Sequence, residues 1–170
     1  DTDGAYEYLE IGVEVNVTEA GNYTIQAYGL MTSDYEYINV GDSHSTYLDT
    51  GVQMVSLRFN GRTIYSSDLN STNVSGISLY DEDYNVLGEL HGIPLSRKYL
   101  YTEFEAPGAI LTGVIYDQGV DIDEDGAFDY LEIGVEVNVT EAGNYMVEAY
   151  GLLTSDYEYI NVGDSHSTYL

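Results

Sequence analysis

The sequence predicts an all-β chain made of tandem antiparallel β-sandwich repeats, immunoglobulin-like or jelly-roll-like, and three observations carry that prediction. Residues 9–17 (LEIGVEVNV) alternate strictly, with Leu9, Ile11, Val13, Val15 and Val17 on one side and Glu10, Gly12, Glu14 and Asn16 on the other, which is the period of a strand with one wet face. No stretch of helical length holds a 3.6-residue period, and strand-like runs are separated by frequent turns. Residues 1–48 recur at 123–170, offset by 122, with 41 of 48 positions identical. An offset that long describes a globular module rather than one rung of a solenoid. The expected organisation is a β-sandwich repeat at 1–108, followed at 109–170 by a junction strand, an acidic loop and the first half of the next repeat.

The elements follow in order. After the strand at 9–17, residues 18–22 read as a turn and 23–30 as a returning strand with Ile25 and Ala27 inward, so the two form a hairpin. Residues 35–40 are a shorter strand and 41–45 a loop. Residues 52–59 are apolar, and Asn60-Gly61 turns them into a strand at 62–65, since Asn-Gly is the pair that best tolerates the positive φ of a tight hairpin. Residues 66–75 are polar and read as an exposed loop. A strand at 77–80, a turn at 81–85 and a return at 86–90 follow. Residues 91–98, with Pro94, read as a connection, 99–105 as an alternating strand, and 109–116 (AILTGVIY) as a buried strand. Nineteen tyrosines, many beside acids, suit the outward faces of such strands.

The charge is −26, from 30 acidic and 4 basic residues. Residues 1–48 hold nine acids and residues 123–170 eleven, neither with a base; Arg58, Arg62, Arg97 and Lys98 all lie between the copies. Such a surface repels nucleic acid and draws divalent cations. Cysteine is absent, so disulfides and thiolate metal sites are excluded. Five of the ten asparagines stand in N-x-S/T sequons: Asn16, Asn22, Asn70, Asn73 and Asn138. That density predicts an exported, glycosylated, extracellular protein.

The stretch 121–132 carries the chemistry. Asp121, Asp123 and Asp125 occupy positions 1, 3 and 5, Gly126 position 6, Ala127 (through its carbonyl) position 7, Asp129 position 9 and Glu132 position 12. This is D-x-D-x-D-G-x5-E, the spacing that gathers hard oxygens around Ca2+. So many carboxylates in one loop repel one another strongly without a cation. A strand follows rather than a helix, and its alternation turns Glu132 to the wet face, which sets its ligand role against the strand geometry. The first copy retains Asp1, Asp3, Ala5, Glu7 and Glu10, with position 1 preceding the chain's first residue, so a weakened or empty partial site is expected there. Asp81, Asp83 and Asn85 share the 1-3-5 spacing but Val86 replaces the glycine, giving an ordinary turn.

The loop resembles those of integrin propeller blades, D-x-D-x-D-G-x-x-D before an apolar strand, and more loosely those of dockerins; the likeness implies a metal site with ligands ending at position 9. Taken with Asn-Val-Thr-Glu-Ala-Gly-Asn-Tyr after the loop strand, the Phe-Glu-Ala-Pro junction and Ile77-Ser78-Leu79-Tyr80-Asp81, the whole chain resembles the β-sandwich modules of archaeal, methanogen-type cell-surface and S-layer-like glycoproteins. That resemblance implies secretion, glycosylation and a structural or adhesive task without catalytic residues.

Three functions are compatible with these residues. The first is a calcium-stabilised structural or adhesive module with the ion at the inter-repeat junction. The second is a calcium-dependent carbohydrate- or ligand-binding accessory domain of a secreted enzyme, although tryptophan, the commoner sugar platform, is absent. The third, a hydrolase, is weakest: Ser43-His44-Ser45 and its copy 165–167 are adjacent on an extended chain, so their side chains diverge. Expected partners are neighbouring repeats, surface glycans, and further copies through strand exchange, because 123–170 can stand in for 1–48 against residues 49–122.

Overall fold

The computed structural model describes residues 4–170, and the chain divides into two compact units, Asp1–Pro107 and Gly108–Leu170. It is all-β, antiparallel and sandwich-like, as the alternation predicts.

In the first unit the strands are β1 (Tyr8–Val17), β2 (Gly21–Ala27), β3 (Leu30–Met31), β4 (Tyr37–Ile38), β5 (Asp42–Leu48), β6 (Gly51–Asn60), β7 (Ser71–Tyr80) and β8 (Val86–Tyr99). β1 pairs with β6, from Tyr8 opposite Asn60 to Val17 opposite Gly51. The other six form a second sheet in the order β4-β3-β7-β2-β5, with β8 on the free side of β7. Side chains from both sheets make one core: Leu9, Val15 and Val17 of β1, Leu57 and Phe59 of β6, and Ile25 and Ala27 of β2 among them, with Ile11 and Val13 half-buried against it. Glu10, Gly12, Glu14 and Asn16 are exposed, as period two requires.

The structure departs from the expected elements at several points. β1 and β2 are not a hairpin; they belong to different sheets. Each has a single apolar face, and residues 18–20 carry the chain across the core so that those faces meet through it rather than side by side. Residues 42–45 of the expected loop lie in β5, which pairs with β2 along its length. Its sequence (DSHSTYL) hides it because only Leu48 is buried, and backbone pairing rather than apolar side chains holds it.

Asn60-Gly61 makes no hairpin turn, and 62–65 is not a strand. Asn60 is extended (φ −63°, ψ 123°) and caps a six-residue helix, α1 (Gly61–Ser66), its Oδ1 accepting from the Thr63 N–H at 3.0 Å. Gly61 is needed for close approach: a Cβ there would overlap the Tyr6 carbonyl oxygen and stand 2.6 Å from that of Glu7. Because those are backbone atoms, Gly61→Ala is expected to cost about 1–3 kcal/mol, read as a lower urea midpoint at unchanged m-value.

Residues 71–75, expected in an exposed loop, open β7 instead, with Ser71 and Val74 buried. The expected connection at 91–98 lies within β8, and residues 101–103 form a 3-10 turn instead of a strand. Pro94 is tolerated because β8 pairs only with β7 and needs no outward donor.

In the second unit, β9 (Ala109–Val120) pairs with β10 (Tyr130–Val139), β11 (Asn144–Ala149) with β14 (Asp164–Tyr169), and β12 (Leu152–Leu153) with β13 (Tyr159–Ile160). The strand expected to be buried at 109–116 forms but lies exposed, with Leu111, Ile115 and Tyr116 all more than half accessible.

Candidate metal centre

The acidic stretch is the connection of the β9–β10 hairpin. Asp129 N–H donates to the Val120 carbonyl (2.8 Å), closing the neck of the loop. Inside it, the Gly126 N–H donates to Asp121 Oδ2 (2.9 Å), the Ile122 N–H to Asp129 Oδ2 (2.7 Å) and the Ala127 N–H to Asp125 Oδ1 (2.8 Å). Glu124 (φ 61°) and Gly126 (φ 94°) are left-handed, and these two reversals fold the chain back towards Asp121. One carboxylate oxygen from each of Asp121, Asp123 and Asp129 then lies within 4.8 Å of the others. Asp121 Oδ1 is buried and accepts no hydrogen bond. A buried anionic oxygen without a donor is costly, and a cation among the three carboxylates would satisfy it. The donors are all oxygen, which suits a hard divalent ion.

Of the other predicted acidic ligands, neither Asp125 nor Glu132 belongs to this trio. Asp125 lies outside the trio, its Oδ1 engaged by the Ala127 amide. Glu132 sits on β10, where Gln118 Nε2 of β9 donates to its Oε2 at 2.8 Å. Sequence spacing does not single out Gln118; only the cross-strand register, Gln118 opposite Glu132, reveals the pair. In the partial copy, Asp1 and Asp3 lie outside the described residues. Ala5 is half-buried, the Glu7 carbonyl accepts from Gly61 N–H (2.8 Å), and Glu10 receives Arg58 Nε at 2.7 Å. That contact, with the Arg58 guanidinium 4.7 Å above the Tyr8 ring, raises the arginine's pKa further. Glu10 is thus an ion-pair partner in this fold.

The second 1-3-5 run is an ordinary turn. Asp81 accepts from Asn85 Nδ2 (2.9 Å) and from the backbone amides of Asn85 (2.9 Å) and Asp83 (3.0 Å). The Asn85 side chain foremost, then these amides, hold the Asp81 carboxyl below its ordinary range.

Asn16, Asn22 and Asn138 are exposed. Asn70 and Asn73 are half-buried rather than on an exposed loop: Asn70 Oδ1 accepts from the Tyr101 N–H (3.1 Å), and Asn73 Nδ2 donates to the Gly92 carbonyl (3.2 Å). Ser43-His44-Ser45 runs along extended β5, and Ser45 Oγ bonds Thr24 Oγ1 at 2.8 Å. No helix among the described residues is long and apolar enough to cross a membrane. No protein-family model, curated protein or solved structure matches the chain, so its own residues carry the functional reading.

Proposed function

We propose that this chain is a non-catalytic structural or adhesive module of an extracellular, archaeal-type cell-surface glycoprotein, stabilised by Ca2+ held in the β9–β10 loop. The observation that carries the reading is the convergence of Asp121, Asp123 and Asp129 beside the partnerless Asp121 Oδ1. The acidic surface and the exposed sequons at Asn16, Asn22 and Asn138 are in keeping with it, as is the likeness to S-layer-like repeats. A bound ion would neutralise the loop and pin the hairpin that introduces the repeated half. Calorimetric titration of the full chain should show one Ca2+ site that Mg2+ fills poorly; a flat titration overturns the calcium part of the proposal.

A second reading, carbohydrate binding, is favoured by a shallow groove between β2, β5 and the 81–84 turn. Tyr23, Tyr47 and Tyr84 line it with Asp81 and Glu82, and Tyr84 is 75 % exposed. Aromatic rings beside carboxylates suit sugar faces and hydroxyls. On a glycan array this reading requires selective binding to one polymer, lost in Tyr84→Ala; uniform silence rejects it.

A further inference from the structure

We propose that the open face of the second unit, along β10, β11 and β12, is a receptor for one additional polypeptide segment with the sequence of residues 49–107. The segment would add one strand beside β10 and another beside β11 and β12. The inference rests on the tandem-module part of the function proposed above and not on its calcium part.

The first unit shows what covers this face, because its 1–48 half is nearly the same sequence. There β6 lies beside β1, and β7 lies beside β2 and β3. In the second unit β10 pairs only with β9, β11 only with β14 and β12 only with β13. The same side chains change accordingly. Leu9 is 5 % exposed and its copy Leu131 47 %; Ile38 is 1 % and Ile160 45 %; Val40 is 5 % and Val162 49 %. Apolar side chains buried in one copy and exposed in the other mark a binding surface.

The edge that β6 uses is free in the second unit, since β9 occupies the opposite one. In an antiparallel strand the backbone polar groups of successive residues point to opposite edges. On the β6 side, Gly61 N–H donates to the Glu7 carbonyl (2.8 Å), one step beyond the Tyr8–Asn60 pair, so odd-numbered residues of β1 face β6. On the β9 side, Thr140 N–H donates to the Gly108 carbonyl (2.8 Å) in register with the Val139–Ala109 pair, Glu141 N–H sharing that acceptor (3.0 Å) beyond the strand end. The register shift between Val135 and Val137 places its extra residues on β9 and leaves the alternation of β10 unbroken, so even-numbered residues of β10 face β9. The copies differ by 122, an even offset, and parity therefore carries over unchanged. β10 can hold β9 on one side and a β6-like strand on the other.

Charge matches as well as shape. All four cations of the chain fall within 49–107, and residues 123–170 have none. In the first unit the Arg58 guanidinium reaches Glu10 through Nε–Oε2 (2.7 Å), and the Arg58 backbone N–H, an uncharged donor, reaches Asp42 Oδ2 (2.7 Å). The copies of those acceptors, Glu132 and Asp164, stand on the open unit. The register of the first unit, carried over, sets Phe59 of the incoming segment opposite Leu131 and Ile77 opposite Ala149.

Within residues 1–170 there is one segment 49–107 and two halves able to receive it, so exchange between two such stretches fills one half only by emptying another, and the test therefore supplies a further segment.

The test mixes the full chain with a separately made polypeptide of residues 49–107 and reads hydrogen exchange together with native mass spectrometry. The expected result is a 1:1 complex in which the amides of Leu131, Ile133 and Val135, on the open edge, become protected at least tenfold. A Leu131→Asp chain should lose that protection while its first unit keeps its own. A chain extended after Leu170 by residues 49–107 gives the same readout if the free segment aggregates. Absence of protection on β10 in both formats, or protection confined to residues 1–48, overturns the proposal. Repeating the measurement in chelator separates it from the calcium reading, which is judged by ion-dependent stability alone.

Discussion

An Asp121→Ala chain should be no less stable than the parent in chelator and clearly less stable than the parent in Ca2+. The crossing follows from two roles of one carboxylate. Without an ion, Asp121 Oδ1 is buried with no donor and lies near Asp123 and Asp129, so removing it relieves both desolvation and repulsion. Its Oδ2 accepts from Gly126 N–H, a contact the variant loses, which offsets part of that relief. With the ion, the parent gains RT ln(1 + [L]/Kd), about 2.7 kcal/mol at a hundredfold excess over Kd, and the variant forfeits most of it. Differential scanning calorimetry of both chains in chelator and in Ca2+ provides the four values. If Asp121 served only to cap Gly126, the variant would be weaker by the same amount in both buffers, and the calcium site would fall.

The second large effect is expected in the first unit. Phe59 is fully buried on β6, opposite Leu9 and within the core that both sheets share. Truncating a buried phenylalanine removes its transfer free energy and leaves a cavity that rigid strands refill poorly, about 3–5 kcal/mol for Phe→Ala. Domains of this size have only about 5–15 kcal/mol in hand, so Phe59→Ala should remove a fifth or more of the first unit's stability. Urea unfolding followed by tyrosine circular dichroism would show the corresponding midpoint fall while the chain's response to Ca2+ stays intact. An unchanged midpoint would mean that this core does not set the unit's stability.

The sequence made some of this legible and hid the rest for physical reasons. Alternation identified β1 and its inward set, and β2 through Ile25 and Ala27, because period two is a local property that one buried face imposes. Partnership is not local. Nothing in residues 8–27 says that β1 pairs with β6 and β2 with β5 and β7. Asn60-Gly61 reads equally as a turn or as a cap followed by a close approach; the backbone of Tyr6 and Glu7, distant in sequence, decides it. For the loop, spacing located the acids but not their division of labour. The left-handed Glu124 and Gly126 bring position 9 to position 1 and leave position 5 on the Ala127 amide. Position 12 is lost to Gln118, a contact visible only once β9 is laid beside β10.

The placement of the cations has a practical consequence. Arg58 is on β6, Arg62 on α1, and Arg97 and Lys98 on β8, while residues 99–170 contain no lysine or arginine. Trypsin is therefore blind to the whole C-terminal unit and can cut only where the N-terminal one opens. Native-state digestion of the intact chain becomes a selective gauge of that opening, proportional to its population when reclosing outruns cleavage.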